Sequence, residues 1–341
     1  MANALAPAGG AFTHTYAGKE ILQPLFYQPQ TIGRDPFELY QVMGDIKTKA
    51  NIYLPGKLQK IITADGGCGF TPSGSATISD KTITPEKLKI NLEMCSDEFD
   101  QTIFAEQYKA GVDVNNIEGT DIGNIILQLL VNSMSEDIPK IIWWSDITSG
   151  DPFYGNLDGY IKLIDSAVTA GTLTNFVDLT AGGFVIAGVW QTDGALGALR
   201  ALYSGQEASM RGMNRMEKKI MVNSAVIDNL LDSYENTGTD SGLARLAEGV
   251  GELTFRGIPV VEMPTWTEAM ADGANPQAGT VGDNCIVFTI PDNLVVGSNI
   301  QAPESQVLVW YDVLTELVNF KVKFTLGAQI IHPELIGFAH D

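Results

Sequence analysis

Two alternating segments separated by a Gly-, Ser- and Thr-rich stretch constrain this chain more than any other feature of its sequence. Residues 51–63 and 82–94 alternate polar and apolar side chains, and the second segment places Leu88, Ile90 and Leu92 at a period of two. This pattern is typical of a β-strand with one solvated face. The stretch between the segments predicts a flexible tip, so the pair is interpreted as a long β-hairpin. Because an isolated hairpin buries little apolar surface, we expect it to lie against another surface.

The N-terminal residues also lack a core of their own. Residues 1–32 are rich in Ala, Gly, Pro, Gln and Thr and show no hydrophobic period. A free linker has no reason to carry the aromatic side chains found here, which are Phe12, Tyr16, Phe26 and Tyr27. We therefore predict an extended arm that is ordered by a partner surface.

Three further segments have the apolar spacing of amphipathic helices. They are residues 120–136, residues 189–209, and a stretch that begins at Ser224 and ends near Gly238. The second follows a Gly-rich turn, and we predict it to be the long central helix of the fold. A separate short apolar run at 138–144 follows the first helix.

Short apolar runs bounded by turn residues predict the strands. These runs lie at 219–222, within 250–265 as two strands around Arg256–Gly257, at 284–297, within 306–326 as two or three strands, and at 329–339. The order is arm, hairpin, helices, a helix among mixed strands, and then strands. Because helices and strands do not alternate as in a doubly wound sheet, the predicted fold class is α+β.

Length and charge limit the classes of protein that fit this chain. Its 341 residues predict two domains or one large domain, and a hydrophobic content of 45% supplies a sizeable core and excludes a disordered chain. The net charge is −20, of which residues 111–341 contribute −18. A bulk positive field that would hold nucleic acid or anionic lipid is therefore absent.

One segment of the acidic region is basic. From Arg200 to Lys219 there are five basic residues, including Arg211 and Arg215, against two acidic ones. One interpretation is a solvated helix end whose cations lie near the C-terminal carbonyl groups. The other is an interface that meets an acidic neighbouring subunit or a nucleic acid backbone.

Cysteine usage and the apolar runs bear on the compartment. Cys68, Cys95 and Cys285 are an odd number without CxxC spacing, so we expect free thiols in a reducing compartment. The N-terminus lacks the charged and apolar regions of a secretory signal. No apolar stretch approaches the roughly 20 residues that span a membrane, so no membrane contact is expected.

No constellation of residues predicts catalysis. The histidines, His14, His332 and His340, form neither HExxH nor a zinc spacing, and no GxSxG elbow is present. The glycines within 66–69 lack the spacing of a phosphate-binding loop. We predict no catalytic residue, no cofactor and no metal. With 41 acidic residues, the sequence does not exclude a catalytic Asp/Glu pair.

Three local features keep more than one interpretation. Trp143–Trp144 forms a packing cluster at a helix end, an anchor of a subunit interface, or a site on which a ligand stacks. The three methionines within 210–216 pack in the core or form an adaptable contact surface. The three aspartates within 146–158 are turn and cap residues or hold a surface cation.

The order of these segments, more than any one motif, resembles the major capsid proteins of tailed bacteriophages with the Hong Kong ninety-seven type of fold. The resemblance covers nearly the whole chain. The matching segments are the arm at 1–32, the hairpin at 51–94, the stretch from Trp143 through Asn156–Gly159, the helix at 189–209, the strand at 219–223, FRGIPVVEMP at 255–264, and DNCIVFTIPDNLVVGS followed by the strands to Phe338.

The resemblance implies a division of the chain and a function. The implied parts are an N-terminal arm (1–50), an extended hairpin loop (51–95), a peripheral domain with a long spine helix (96–218), an axial domain (219–300), and C-terminal strands returning to the peripheral domain (301–341). Copies would form pentamers and hexamers that close into an icosahedral shell around packaged double-stranded DNA, bound without sequence specificity. The implied partners are a portal, a scaffolding protein and decoration proteins, and the implied location is the virion capsid, assembled in the host cytoplasm.

Two departures limit what is carried over. An N-terminal scaffolding segment of the family type is absent, so a separate scaffold or none is expected. Some members crosslink a Lys of the extended loop to a neighbouring Asn, but no matching partner can be placed here, and no crosslink is assigned. The residues predicted to contact neighbouring subunits are Lys57, Lys60, Lys87, Lys89, Arg200, Arg211, Arg215, Phe12, Tyr16, Phe26 and Tyr27.

Other functions remain open at this level. An encapsulin-like nanocompartment shares the fold and encloses protein instead of a genome. A tail or baseplate component would form rings, tubes or fibres. An enzyme with an unrecognised site is the last alternative, and its weakness is the lack of any clustered His, Cys or Ser residues.

Overall fold

The computed structural model describes residues 13–16, 39–44, 46, 48–55, 78–95, 121–236, 253–299, 307–312, 314–315 and 317–341. Its strands are β1 (Thr13–Tyr16), β2 (Gln41–Met43), β3 (Ala50–Pro55), β4 (Ile78–Ile83), β5 (Glu86–Cys95), β6 (Asn175–Asp178), β7 (Val185–Ile186), β8 (Val189–Trp190), β9 (Lys219–Val222), β10 (Thr254–Phe255), β11 (Ile258–Glu262), β12 (Cys285–Thr289), β13 (Leu294–Gly297), β14 (Val307–Asp312), β15 (Leu317–Ile330) and β16 (Gly337–His340). Its α-helices are α1 (Asp121–Trp144), α2 (Tyr160–Thr169), α3 (Gly194–Ser204), α4 (Ala208–Arg211), α5 (Ser224–Asn236), α6 (Pro264–Ala271) and α7 (Ala278–Val281).

The first of two six-stranded sheets is organised around β15. This strand pairs antiparallel with β5 from Leu317 to Leu326, and its residues 317–322 also pair with β14. Its last four residues pair with β13, which lies parallel to β2. The arm segment β1 adds to β14 and places Tyr16 opposite Val307. The C-terminal strands therefore join the arm, the hairpin region and the core in one sheet.

The return strand of the hairpin differs from the predicted one. β3 pairs with β4, from Ala50 opposite Ile83 to Pro55 opposite Ile78, so residues 78–83 return from the tip. The predicted return strand at 82–94 is wrong as a single element, because Thr84–Pro85 separates β4 from β5 and β5 pairs with β15. Proline has no N–H for the ladder and restricts the residue before it, which explains the break.

The second sheet has the strand order β10-β11-β9-β12-β16-β6. Alternation along its strands sends side chains into two different cores. Met221 and Val287 pack in one hydrophobic cluster with helix α1, while Ile220 and Ile286 pack in another with helices α3 and α5. Strands β9 and β11 run parallel and are connected through α5. Both faces of this sheet are therefore covered, which agrees with its continuous apolar runs.

Helix α1 joins two predicted elements and is the longest helix in the described ranges, with 24 residues. The sequence predicts a helix at 120–136 and a separate short run at 138–144, whereas the observed helix passes through Pro139. The buried side chains Met134, Ile138 and Ile141 continue one apolar stripe across that position. Burial of the stripe outweighs the hydrogen bond lost at the proline.

The predicted long central helix at 189–209 is wrong in length. Val189 and Trp190 pair with β7 in a short hairpin whose turn has positive φ at Ala187 and Gly188. Asp193 is left-handed at φ 59°, and helix α3 begins only after it and spans 11 residues. A right-handed helix cannot include left-handed residues, so α3 cannot start before Gly194, and it ends at Ser204.

Several strand predictions are confirmed. Strands β9, β12 and β13 lie within the predicted runs, and β14 and β15 occupy 306–326 and the residues beyond. Arg256 and Gly257 form the turn between β10 and β11, with φ of 53° and 79°, as in a type I′ hairpin. The α+β fold class is therefore confirmed, while the five-part division of the chain stays a prediction.

Candidate assembly surfaces

Four lysines share one face of the first sheet. Lys89 lies directly opposite Lys323, and alternation places Lys87 and Lys321 on the same face of the two strands. The intervening side chains, such as Leu88, are buried on the other face. Like charges that face each other across a strand pair, as Lys89 and Lys323 do, destabilise a sheet, so an acidic surface placed against this lysine face (Lys87, Lys89, Lys321 and Lys323) would relieve that repulsion.

The lysine face borders an apolar groove. The groove has a volume of about 890 Å³ and lies between α1 and the strand pair β5–β15. Its apolar lining includes Ile90, Met134, Ile138 and Phe153. Three of the four lysines also line the groove, together with the acidic residue Asp137, so the groove suits contact with an amphipathic, acidic segment.

Two of the four lysines of this face are among the contact residues that the sequence predicts. Lys87 and Lys89 were assigned to the hairpin loop, but both lie in β5 within the first sheet. Lys321 and Lys323 were missed because their position beside β5 depends on pairing between segments more than 220 residues apart in the sequence. The signal available was the alternation of Lys321 and Lys323 with apolar residues in β15.

A second cationic surface lies at the C-terminal end of α3. Arg256 places its guanidinium 4.7 Å from the centre of the Tyr203 ring, a favourable cation–π distance. Arg215 donates a hydrogen bond to the Arg256 carbonyl oxygen at 3.3 Å. Arg200 is exposed on α3, one helical turn before Tyr203. We call Arg200, Arg211, Arg215 and Arg256 the arginine patch.

The arginines of this patch differ in whether they bind helix carbonyl groups or keep their charge exposed. Arg211 donates from Nε to the Gln206 carbonyl oxygen at 3.1 Å and from its second terminal nitrogen to the Ser204 carbonyl oxygen. The interpretation as cations near C-terminal helix carbonyls is therefore correct for Arg211. Across the described ranges, none of the four arginines forms an ion pair with a carboxylate. Arg200 and Arg256 thus keep their charge available to a partner.

Lys218 lies beneath the patch and is buried. Its Nζ donates to Gln206 Oε1 at 3.1 Å. Burial lowers the pKa of Lys218, and the nearby charge of Arg215 acts in the same direction. This lysine therefore supports the patch from inside and does not contribute to its exposed surface.

The outward face of helix α5 is acidic. Asp228, Asp232 and Glu235 are exposed and are spaced by four and three residues, which places them on one side of a helix. Val226 and Leu230 on the opposite side are buried against the second sheet. We call the three acids the acidic face.

The aspartates within 146–158 hold a loop together. Asp146 accepts from Thr148 N at 2.9 Å and forms an ion pair with Lys162 Nζ at 2.8 Å. Burial acts to raise the pKa of Asp146, but the hydrogen bonds from Lys162 and Thr148 outweigh it and hold the pKa below its ordinary value. Asp151 accepts from Phe153 N and Tyr154 N at 2.7 and 2.8 Å. No three potential metal ligands cluster in the part of the chain that the structure covers.

The tandem tryptophans belong to the core. Trp143 and Trp144 are fully buried, and the Trp143 ring lies 4.6 Å from Trp266 and 5.0 Å from Tyr160, between ring centres. Trp143 also donates its Nε1 hydrogen to the Tyr40 hydroxyl. The packing interpretation is confirmed, and the tryptophans are not an exposed interface anchor. Tyr40 lies within the predicted arm, so residues 39–40 of that arm are part of the core.

The three methionines within 210–216 differ in exposure. Met210 is buried, Met213 is half-buried, and Met216 is 64% exposed. Only Met216 therefore offers an apolar contact to a partner.

The remaining predicted contact residues fall outside the described ranges, except Tyr16, whose backbone lies in β1. They are Lys57, Lys60, Phe12, Phe26 and Tyr27, and their contact roles stay predictions. Among the helices that the structure describes, none has the length and hydropathy to cross a bilayer.

Comparison with known proteins shows the fold. No protein-family model matches the chain, and no curated protein sequence matches it either. A chain of the satellite phage P4 procapsid that includes the Sid protein superposes with a TM-score of 0.60 at 9% identity, covering 95% of this chain and 91% of that one. A chain of Mycobacterium phage Ogopogo gives a TM-score of 0.56 at 13% identity, with coverages of 91% and 92%.

A third likeness is to the capsid of an empty GTA particle. It has a TM-score of 0.50 at 15% identity and covers 89% of this chain and 88% of that chain. Similarity at this level of identity defines the architecture of the chain. The chain has the fold of phage capsid proteins, as the order of its sequence segments predicted.

Proposed function

We propose that this chain is the major capsid protein of a tailed phage, and that its copies assemble as pentamers and hexamers into an icosahedral shell. The observation that carries the proposal is the capsid fold, which matches a procapsid chain over 95% of this sequence. The lysine face and the arginine patch add support. In a chain of net charge −20, clusters of like cations are favourable only where an acidic partner meets them.

We further propose that the shell encloses double-stranded DNA without sequence-specific binding. The net charge of −18 over residues 111–341 supports an inner wall that repels phosphate and lets DNA slide during packaging. A shell resolved with a net positive inner wall would overturn this part of the proposal. The role is structural, so no enzymatic activity or cofactor is assigned.

The proposed partners follow from the role in a shell. They are other copies of the chain, a portal at one vertex, a separate scaffolding protein and decoration proteins. The proposed location is the virion capsid after assembly in the host cytoplasm. Pull-down from an infected lysate with a tagged chain, followed by mass spectrometry, should recover a portal and a scaffold in the same particles.

Electron microscopy of the purified chain tests the shell directly. We expect closed shells from the wild-type chain and nuclease-resistant DNA inside particles from infected lysate, with a lysate of uninfected cells as control. Shells that contain protein and no DNA would favour a nanocompartment. Tubes, open rings or monomers in both preparations would contradict the proposal and favour a tail or baseplate component.

A further inference from the structure

Helices α3 and α5 cover the same face of the second sheet and carry opposite charges. Their apolar side chains share one core, and Ala195 N of α3 donates to Asn229 Oδ1 of α5 at 2.9 Å. The arginine patch lies at the end of α3, while the acidic face lies along α5. Although the two helices are in contact, no ion pair joins the patch to the acidic face within the described ranges.

Each charged surface is unfavourable while it stays alone. Asp228 and Asp232 are four residues apart on one helix, a spacing at which like charges repel. Arg256 lies over the Tyr203 ring, and Arg200 precedes Tyr203 by one turn of α3, so the two positive charges belong to the same surface. A partner of opposite charge would remove both costs, and every copy of this chain offers one surface of each sign.

We propose that the arginine patch of one copy docks against the acidic face of α5 on a second copy. This inference rests on the proposed shell function and names the contact that joins neighbours within a ring. The two surfaces differ, so the contact is head-to-tail, and a head-to-tail contact closes into rings when the rotation between copies fits. In a closed ring, every arginine patch then contacts the acidic face of a neighbouring copy.

Nucleic acid is the other anion that the arginine patch could meet. A second copy is favoured because it supplies the complementary surface in equal number. The bulk charge of −20 also opposes approach of the chain to a phosphate backbone.

Charge exchange tests this contact. The patch variant carries Arg200→Glu and Arg256→Glu, the acidic-face variant carries Asp228→Lys and Asp232→Lys, and the exchanged variant carries all four changes and keeps the wild-type net charge. All four side chains are exposed, so each variant should fold, which circular dichroism at low concentration checks. Native mass spectrometry and electron microscopy then measure ring formation.

We expect each two-residue variant alone to need at least about tenfold more protein than the wild type to form rings, since like charges then face each other. The exchanged variant should assemble as the wild type does. An equimolar mixture of the two-residue variants should form six-membered rings in which the variants alternate. It should form no five-membered rings, because an odd ring cannot alternate.

Three results would overturn the docking. They are normal ring formation by either two-residue variant, failure of the folded exchanged variant to assemble, and loss of packaged DNA by a patch variant whose rings form normally. The last result would reassign the patch to nucleic acid. A wild-type chain that forms no rings would overturn the proposed function and the docking together, whereas wild-type shells with insensitive variants would overturn the docking alone.

Discussion

The side chain of Asn293 forms two hydrogen bonds with the backbone of His332. Asn293 Oδ1 accepts from His332 N at 2.7 Å, and Asn293 Nδ2 donates to the His332 carbonyl oxygen at 2.9 Å. These residues lie where the chain passes between the two sheets, once from β12 to β13 and once from β15 to β16. The buried amide therefore fastens the two crossings to each other.

Replacement of Asn293 by Ala should lower the free energy of unfolding by about 1–3 kcal/mol, because the partly buried backbone N–H and carbonyl groups of His332 lose their partners. Urea denaturation monitored by fluorescence measures the change. The adjacent Asp292 is exposed, so Asp292→Ala is the matched control and should stay within about 0.5 kcal/mol of the wild type. Equal effects of the two substitutions would show that the crossings are not held by this amide.

Gly159 should tolerate no side chain. A Cβ at this position would lie 2.7 Å from the Trp143 carbonyl oxygen and 2.8 Å from Ser145 N, and both are backbone atoms that cannot turn away. We expect Gly159→Ala to destabilise the fold by about 1–3 kcal/mol. Gly273→Ala is the control, because nothing lies within 4 Å of its added Cβ. A wild-type melting temperature for Gly159→Ala would contradict the packing of α2 against the end of α1.

The ion pair of Asp146 should make the free energy of unfolding depend on pH in the acid range. The pKa of Asp146 is lower in the folded chain than in the unfolded one, so its contribution is present at neutral pH and is lost as pH falls below about 4. Asp146→Asn should be less stable than the wild type at pH 7, and the difference should shrink toward pH 2. Asp292→Asn, which removes an exposed carboxylate, is the matched control. A difference for Asp146→Asn that stays constant with pH would refute the ion-pair account.

A charge reversal in the lysine face should raise the stability of the chain and lower its ability to assemble. Lys89→Glu converts the repulsion with Lys323 into an attraction, so the free energy of unfolding should rise by about 0.2–1 kcal/mol. If the face contacts an acidic neighbour, the same variant should form shells less readily. Lys49→Glu changes an exposed lysine outside β5 and β15 and serves as the control for net charge. Unchanged shell yield for Lys89→Glu would remove the lysine face from the assembly surfaces.

The extended hairpin should be dispensable for folding and required for assembly. Replacing residues 56–77 by Asn-Gly joins β3 to β4 through a two-residue turn and keeps Pro55 opposite Ile78. We expect a folded chain with a wild-type melting temperature that forms few shells in electron micrographs. Normal shell yield would contradict the role predicted for this loop.

Local patterns predicted much of the fold, and long-range pairing explains most of what they missed. The buried runs of β9 and β12 and the Arg256–Gly257 turn are visible in the sequence because they depend on neighbouring residues. The pairing of β5 with β15 depends on a segment far along the chain, so period-two alternation identified β5 as a strand but assigned it the wrong partner.

The assembly surfaces were predictable in part for the same reason. Arg200 and Arg215 stood out as a run of basic residues, whereas Arg256 joins them only through the fold. The acidic face of α5 was present as helical spacing in the sequence. Its relation to the arginine patch required the shared core of α3 and α5.

Cryo-electron microscopy of particles assembled from the purified chain shows directly whether its copies close into a shell. We expect closed icosahedral shells built from five- and six-membered rings, in which each copy has the capsid fold of this chain. Open tubes, or a chain that stays monomeric at every concentration tested, would contradict assembly into a shell.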